Sequence, residues 1–353
     1  MRGGWKAKAL GVFLEFRLIP VLLWSYTAVV LGTAVAFFET GAFDLLWFAV
    51  AIALAGLIQG WVTHAINEIY DWRSGTDRHN TVRALSGGSK VLNLGLLDER
   101  DLWRVFAASS LATFALAAFV GVARAPGLVL LIVAGYVLGL AYTVPPLATA
   151  YRPFVGEWLG GFPGVLLGGV GAYMIQSLRF PGIAFMPLAA HACVCTAMLV
   201  MHHYLDADAD HEAVPRKRTS VVALGPLGAR AYATSLAGVG AALYAVAGFA
   251  HPGFFLAAAL TIVAASIHAR TEPRDLRSVT RNELRVIQLG IAAGLVPAVA
   301  IAPPLWPLVP LAALGYFAHL FAVAPPAELG RAWRRASKGV RDEQPLDDRG
   351  RAI

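Results

Sequence analysis

The chain has 353 residues, of which 58% are hydrophobic and only 14% charged, with a formal net charge of +7. Soluble globular chains are about 45–50% hydrophobic and about 25% charged. A soluble enzyme of this length would lack the polar residues to cover its surface, and the composition also excludes a disordered chain or a disulfide scaffold. It predicts a membrane protein with several transmembrane segments.

Ten apolar runs are long enough, or nearly so, to cross a bilayer core of about 30 Å, which takes roughly 20 helical residues. In chain order they cover residues 18–38, 45–66, 103–123, 126–144, 157–176, 183–203, 229–249, 253–269, 286–303 and 306–323. Only Pro303 and Pro304 separate the last two runs, which therefore form either two spans or one broken span. Because backbone in lipid must satisfy its own hydrogen bonds, the runs predict an all-α transmembrane bundle of nine or ten spans.

The basic residues lie almost entirely on one side of this topology. With ten spans, only Arg124 and Arg179 fall on the side opposite the N-terminus. The positive-inside rule then places both termini in the cytoplasm, and the net charge reflects topology rather than binding to nucleic acid. We expect residues 1–326 to form one domain in the cell membrane, and the basic tail 327–353 to be cytoplasmic and partly disordered.

A first group of acids lies at the end of the second apolar run. Gln59, Thr63, Asn67 and Asp71 recur every four residues, which places them on one face of a helix. Asp77 follows a Ser-Gly turn and can fold back towards that face.

A second group lies at the end of the sixth run. Met198, His202, Asp206 and Asp210 repeat the four-residue spacing, whereas Asp208 points elsewhere if the helix continues. One acidic loop at a helix end is usually just solvated. Two groups with the same spacing on the cytoplasmic side, each followed by basic residues, favour a binding site.

The two groups together predict a site for a diphosphate. Facing carboxylates at a membrane edge repel each other unless a cation joins them. Mg²⁺ takes one or two carboxylates together with phosphate oxygens, and lysines and arginines stabilise a departing pyrophosphate. The apolar bundle would house an isoprenoid tail. The predicted Mg²⁺ ligands are Asn67, Asp71, Asp77, Asp206 and Asp210. The predicted diphosphate-binding residues are Asn67, Arg73, Arg83, Lys90, Lys217 and Arg218.

The segment 86–90, Ser-Gly-Gly-Ser-Lys, lies between the two groups in the chain. It either presents backbone N–H groups to phosphate or is a plain flexible loop.

At these residues the chain resembles the UbiA family of intramembrane prenyltransferases, and most closely the branch that acts on 1,4-dihydroxy-2-naphthoate. Asn67, Asp71 and Asp77 match the first aspartate motif, and Asp206 and Asp210 match the second. The basic run 217–219, Lys-Arg-Thr, and the segments 86–89, 141–146 and 156–157 also agree. The resemblance covers residues 10–250.

The resemblance implies transfer of a polyprenyl group from a polyprenyl diphosphate to an aromatic acceptor within the lipid bilayer, with Mg²⁺ as cofactor. It implies catalytic roles for Asp71, Asp206, Glu157 and Tyr142. It implies an acceptor pocket that contains Gln59, His64, Tyr173 and His202.

The chain also departs from the family pattern. Glu68 stands where Asp is usual, His202 stands where Asn is usual, and the stretch from Asp210 to Lys217 is longer than usual. These changes leave open a terpene cyclase, or a transferase with a non-aromatic acceptor, from the same superfamily. A transporter or lipid-binding protein is a third hypothesis, although transporters place ionisable groups near the membrane midplane rather than at span ends.

Overall fold

A computed structural model describes residues 4–78, 88–182 and 185–323. These residues form helices and turns, with no strand among them. Ten helical segments follow in chain order: α1 (Trp5–Thr40), α2 (Leu45–Ser74), α3 (Glu99–Ala123), α4 (Gly127–Thr143), α5 (Glu157–Ser177), α6 (Phe185–Glu212), α7 (Ser220–Gly248), α8 (Gly253–Arg270), α9 (Leu276–Ile301) and α10 (Pro303–Val323).

Each predicted apolar run corresponds to one of these helices, which confirms the all-α membrane fold. Within the described ranges, nine are long and apolar enough to cross a membrane, and the apolar helix α4 is shorter. The C-terminal pair forms two helices, α9 and α10, which meet at Ala302. The choice between nine and ten spans therefore depends on α4.

Side-chain caps set where several helices begin. Asp44 accepts a hydrogen bond from the Trp47 N–H at the start of α2, and Asp98 and Asp101 form a reciprocal capping box at α3. Thr219 and Asp275 cap α7 and α9 in the same way. Because each cap satisfies a backbone N–H that the helix leaves unpaired, these polar residues mark the helix starts.

Helix α6 is the most enclosed helix of the bundle. In α6, 83% of the most apolar window is buried, compared with 11% in α10. Helix α1 passes α5 so closely that a side chain at Gly32 would start 2.1 Å from the carbonyl oxygen of Gly169. The second group of acids therefore lies on the central helix, and α10 presents most of its surface to lipid.

Three π-helical turns interrupt the α-helices, at Leu22–Tyr26, Gly56–Thr63 and Glu157–Gly161. Each of them contributes lining to the same internal cavity, for example through Ser25, Gln59 and Gly160. Such turns are rare and occur frequently at functional sites. The irregular backbone is therefore concentrated around this cavity.

Candidate active site

A cavity of about 330 Å³ lies between α1, α2, α4, α5 and α6. One end, which we call the acidic end, is lined by Asp71, Asp77 and Asp206, and most of the remaining lining is apolar. Along α2 the lining extends from Ala51 to Asp71, a helical length of ~30 Å that matches the hydrocarbon core of a bilayer. The cavity therefore suits a molecule with a charged head and a long apolar tail.

The two groups of acids meet at the acidic end. From α2, all four residues of the predicted face line the cavity: Gln59, Thr63, Asn67 and Asp71. From α6, Met198, His202 and Asp206 line it, and the side chain of Asp208 is exposed. The four-residue spacing thus identified two helix faces that turn towards one space.

Lys217 connects the two groups. Its Nζ lies 2.8 Å from Oδ2 of Asp71 and 3.8 Å from Oδ1 of Asp210, and its side chain is only 8% exposed. Burial alone would lower the pKa of Lys217, but the carboxylates of Asp71 and Asp210 outweigh it and hold that pKa well above its usual range. Lys217 therefore remains charged between the two aspartates.

Asp71 is held from three sides. Tyr151 donates a hydrogen bond of 2.8 Å to Oδ1, while Asn67 donates one of 3.0 Å to Oδ2, the oxygen that Lys217 also contacts. Asn67 donates a further hydrogen bond to the Thr143 hydroxyl. These contacts fix the carboxylate at the mouth of the cavity.

The loops that carry the two groups are also joined through the backbone. The N–H of Val214 donates to the carbonyl oxygen of Ser74 at 2.9 Å, and the N–H of Lys217 donates to that of Asp210 at 3.0 Å. Val214 itself is 80% exposed. The longer stretch from Asp210 to Lys217 therefore bulges outwards and still returns the lysine to the acids.

A turn at Gly88 and Ser89 is bound by two buried glutamates. The N–H of Ser89 donates to Glu68 Oε2 at 2.7 Å, and its hydroxyl donates to Glu15 Oε2 at 2.6 Å. The Ser89 N–H therefore binds a carboxylate rather than facing a phosphate, and the longer side chain of Glu68 makes that contact. Close to this turn, burial and the nearby charges of Asp71 and Glu68 raise the pKa of Asp77 well above its usual range.

Gly88→Ala is expected to disrupt this turn. Gly88 has φ +70, and a Cβ there would lie 2.2 Å from Glu68 Oε2 and 2.7 Å from Asp77 Oδ2. We expect a lower melting temperature and weaker diphosphate binding, measured by thermal unfolding and by binding of a radiolabelled prenyl diphosphate. Gly95→Ala is the matched control, because Gly95 has φ +64 but open space around it; both changes carry the left-handed strain of roughly 1–2 kcal/mol. Equal effects of the two substitutions would contradict a role for the close approach.

The remaining predicted residues divide into two sets. Gln59, His64, Tyr142, Lys90 and His202 line the cavity with Asn67, Asp71, Asp77, Asp206 and Lys217. The other set is not part of the cavity lining: Glu157, Tyr173, Arg73, Asp210 and Arg218. Of these, Asp210 lies directly behind the lining, 3.8 Å from Lys217. Arg83 lies outside the described residues.

Three residues of the second set have their side chains turned to other partners or to the surface. Tyr173 is buried and donates to Glu39, towards the opposite end of α1. Arg73 is half-exposed and pairs with Glu99 of α3. Arg218 is exposed. These contacts do not support Tyr173 in the acceptor pocket or Arg73 on the diphosphate. The diphosphate role of Arg218 and the catalytic role of Glu157, which is buried outside the cavity lining, stay predictions.

Other residues at the site have no role in the sequence prediction. Glu283 of α9 and Arg17 of α1 line the cavity. Glu15 accepts a hydrogen bond from Ser89, and Tyr151 donates one to Asp71; both of these partners line the cavity. Glu283 lies just before the ninth apolar run, about two turns inside α9, and no pattern in the surrounding sequence distinguishes it.

The donor groups at the acidic end fit Mg²⁺ carried by a diphosphate. No three His, Cys, Asp or Glu side chains among the described residues are arranged to hold one ion by themselves. Both carboxylate oxygens of Asp210 are buried, and neither accepts a hydrogen bond from that part of the chain. Mg²⁺ usually takes one or two carboxylates and completes its coordination with water and phosphate oxygens.

The model of the UbiA prenyltransferase family matches residues 22–283, which is well over half of the chain. The chain belongs to the UbiA prenyltransferase family. The matched region contains both groups of acids and Lys217, and it ends at Glu283. The enzyme class is therefore a prenyltransferase of the UbiA type, and helix α10 lies beyond the matched region.

Solved UbiA structures share this fold. A UbiA homologue from Archaeoglobus fulgidus bound to GPP and Mg²⁺ aligns with a TM-score of 0.59 and 16% identity, over 82% of this chain and 99% of that chain. The apo structure of a UbiA homologue from Aeropyrum pernix K1 aligns with a TM-score of 0.57 and 20% identity, over 76% of this chain and 96% of that one. No curated protein matches the chain. At these identities the structural similarity shows the fold alone.

Proposed function

We propose that this UbiA-family protein transfers a polyprenyl group from a polyprenyl diphosphate to an electron-rich aromatic acceptor, such as 1,4-dihydroxy-2-naphthoate. One observation carries the proposal: buried acids of α2 and α6 meet around Lys217 at one end of a cavity that is otherwise mostly apolar. A diphosphate head and an isoprenoid tail have the same distribution of polarity.

The acidic end supplies the groups that a metal–diphosphate requires. Asn67, Asp71, Asp77, Asp206 and Asp210 would hold Mg²⁺, which when bound neutralises the charge that develops on departing pyrophosphate. Lys217, Lys90 and Arg17 line the same end and would contact the phosphate oxygens. The Archaeoglobus fulgidus homologue, whose fold this chain shares, was solved with GPP and Mg²⁺.

The apolar lining protects the reaction from water. As the bond between the allylic carbon and the diphosphate oxygen breaks, Lys217 stabilises the charge on the leaving group. A ring carbon of the acceptor then forms a bond to the allylic carbon, and that carbon loses its proton to the departing pyrophosphate. We propose that the ring binds against the cavity wall formed by Gln59, His64 and Tyr142, which line the same cavity as the acids. Exclusion of water favours attack by the ring over hydrolysis.

We further propose that the protein lies in the cell membrane with its N-terminus and the acidic end on the cytoplasmic side. The distribution of lysine and arginine between alternate loops supports this orientation. A water-soluble diphosphate head and a water-soluble acceptor would then reach the site from the cytoplasm.

The direct test is an assay of purified protein in lipid nanodiscs with geranylgeranyl diphosphate and 1,4-dihydroxy-2-naphthoate. We expect a prenylated naphthoate by mass spectrometry when Mg²⁺ is present, and loss of product with EDTA. A cyclic hydrocarbon as the product would instead indicate a terpene cyclase, and a lipid ether would indicate a transferase with a non-aromatic acceptor. Mg²⁺-dependent binding of the diphosphate without turnover would instead support a lipid-binding protein or a transporter.

A further inference from the structure

The N-terminal half of helix α9 places a buried carboxylate in the wall of the cavity. Glu283 is 1% exposed, and it lines the cavity together with Ile287 one turn further along the helix. Its Oε1 lies 2.7 Å from Nδ1 of His202 on α6. Its Oε2 is buried and accepts no hydrogen bond from any described residue.

The contact with His202 fixes how Glu283 faces the cavity. Because Nδ1 of His202 binds Oε1, the opposite ring nitrogen, Nε2, points to Asp206 and lies 3.7 Å from its Oδ2. His202 therefore bridges Glu283 and the acidic end. The second oxygen of Glu283 is left without a partner, on a residue that lines the cavity next to His202.

A buried carboxylate oxygen without a partner is costly, and a hydrogen-bond donor on a ligand would satisfy it. We propose that Glu283 Oε2 binds a hydroxyl group of the acceptor, so that Glu283 and His202 together select a hydroxylated ring. This inference rests on the proposed function, because it assumes that the ligand in this part of the cavity is the acceptor.

The charges separate this position from that of the diphosphate. Lys217 faces Asp71 and Asp210, where an anionic head is attracted. The nearest partner of Glu283 is a histidine, and a carboxylate repels phosphate oxygens. A neutral hydroxyl group donates a hydrogen bond without that repulsion. His202, which stands where the family pattern has Asn, is thus explained by its partner on α9.

The test measures binding of the ring directly, by equilibrium dialysis against nanodiscs that contain the protein or none. The ligands are 1,4-dihydroxy-2-naphthoate and its two monomethyl ethers. Because a hydrogen bond to a charged group is strong, we expect wild-type protein to bind the diol about 10- to 100-fold more tightly than at least one ether. Glu283→Ala should remove this preference, and Glu283→Gln should retain part of it, since its amide oxygen still accepts a hydrogen bond.

Two controls separate recognition from structural damage. Glu272→Ala removes a half-exposed acid that pairs with Arg230 ahead of α9, and it should leave the preference intact. Binding of Mn²⁺ together with a prenyl diphosphate should be the same in Glu283→Gln and wild type. If Glu283→Ala does not fold, the comparison of the three ligands is made with Glu283→Gln.

The inference is overturned if wild type shows no preference for the diol, if the full wild-type preference survives in either Glu283 variant, or if those variants lose Mn²⁺ binding as a metal ligand would. Failure of the proposed function would give a different result from failure of this inference. If binding of the diol depends on Glu283 but no prenylated naphthoate forms, the recognition of the hydroxyl stands and prenyl transfer to this ring does not.

Discussion

Replacing Asp71 by asparagine should lower prenyl transfer by more than about 100-fold, since even residues that only support metal ligands typically contribute 10–100-fold to metal affinity or activity. Asn keeps the shape of the side chain and still accepts the hydrogen bond that Tyr151 donates to Oδ1. It removes the negative charge that faces Lys217 at 2.8 Å. The measurement is the initial rate of product formation with saturating donor and acceptor.

Asp208→Asn provides the matched control for this substitution. Asp208 lies on α6 between Asp206 and Asp210, but its side chain is exposed. The two substitutions make the same chemical change within the acid-rich ends of the two helices. If Asp71→Asn lost no more activity than Asp208→Asn, the acids at the cavity mouth would not be the catalytic ones.

Lys217→Met is expected to destabilise the protein strongly and to weaken diphosphate binding. The substitution leaves Asp71 and the buried Asp210 without their shared cation. Removing one partner of a buried ion pair typically costs roughly 3–5 kcal/mol. We expect a lower melting temperature in detergent by intrinsic fluorescence. Mg²⁺ should raise it more in the variant than in wild type, because the divalent ion supplies the missing charge.

Arg218→Met is the control for the melting temperature. Arg218 is the next residue in the chain, and its side chain is exposed, so its loss should change the free energy of unfolding little. An equal loss of stability in the two variants, or the same response to Mg²⁺ in Lys217→Met and wild type, would contradict the bridging role of Lys217.

The sequence was most informative where one helix carries a repeated pattern. A four-residue spacing places side chains on one face whatever the rest of the fold does. For this reason Asn67 and Asp71, and likewise His202 and Asp206, were predicted to share faces, and they line one cavity. The π-helical turn at Gly56–Thr63 does not remove Gln59 from that lining.

Sequence reasoning was weaker for residues whose partners are distant in the chain. Arg73 follows Asp71 closely, yet it turns outwards to Glu99 of α3, a contact that no local pattern indicates. Glu283 reaches the site only because α9 packs against α6. Tyr173 and Glu157 are separated by 16 residues of one helix, a rise of ~24 Å, so helix geometry alone places them far apart. Two residues so far apart on one helix do not both lie at the same end of a membrane.

The backbone bond between Val214 and Ser74 has a consequence for how sequences of this type can diverge. It ties the segment that returns Lys217 to the end of α2 without using any side chain, while Val214 itself projects into solvent. Insertions and deletions next to Val214 should therefore be tolerated, because the lysine is delivered by the tether rather than by a fixed loop length. Random insertion of one or two residues on either side of Val214, followed by selection for active enzyme, would measure that tolerance.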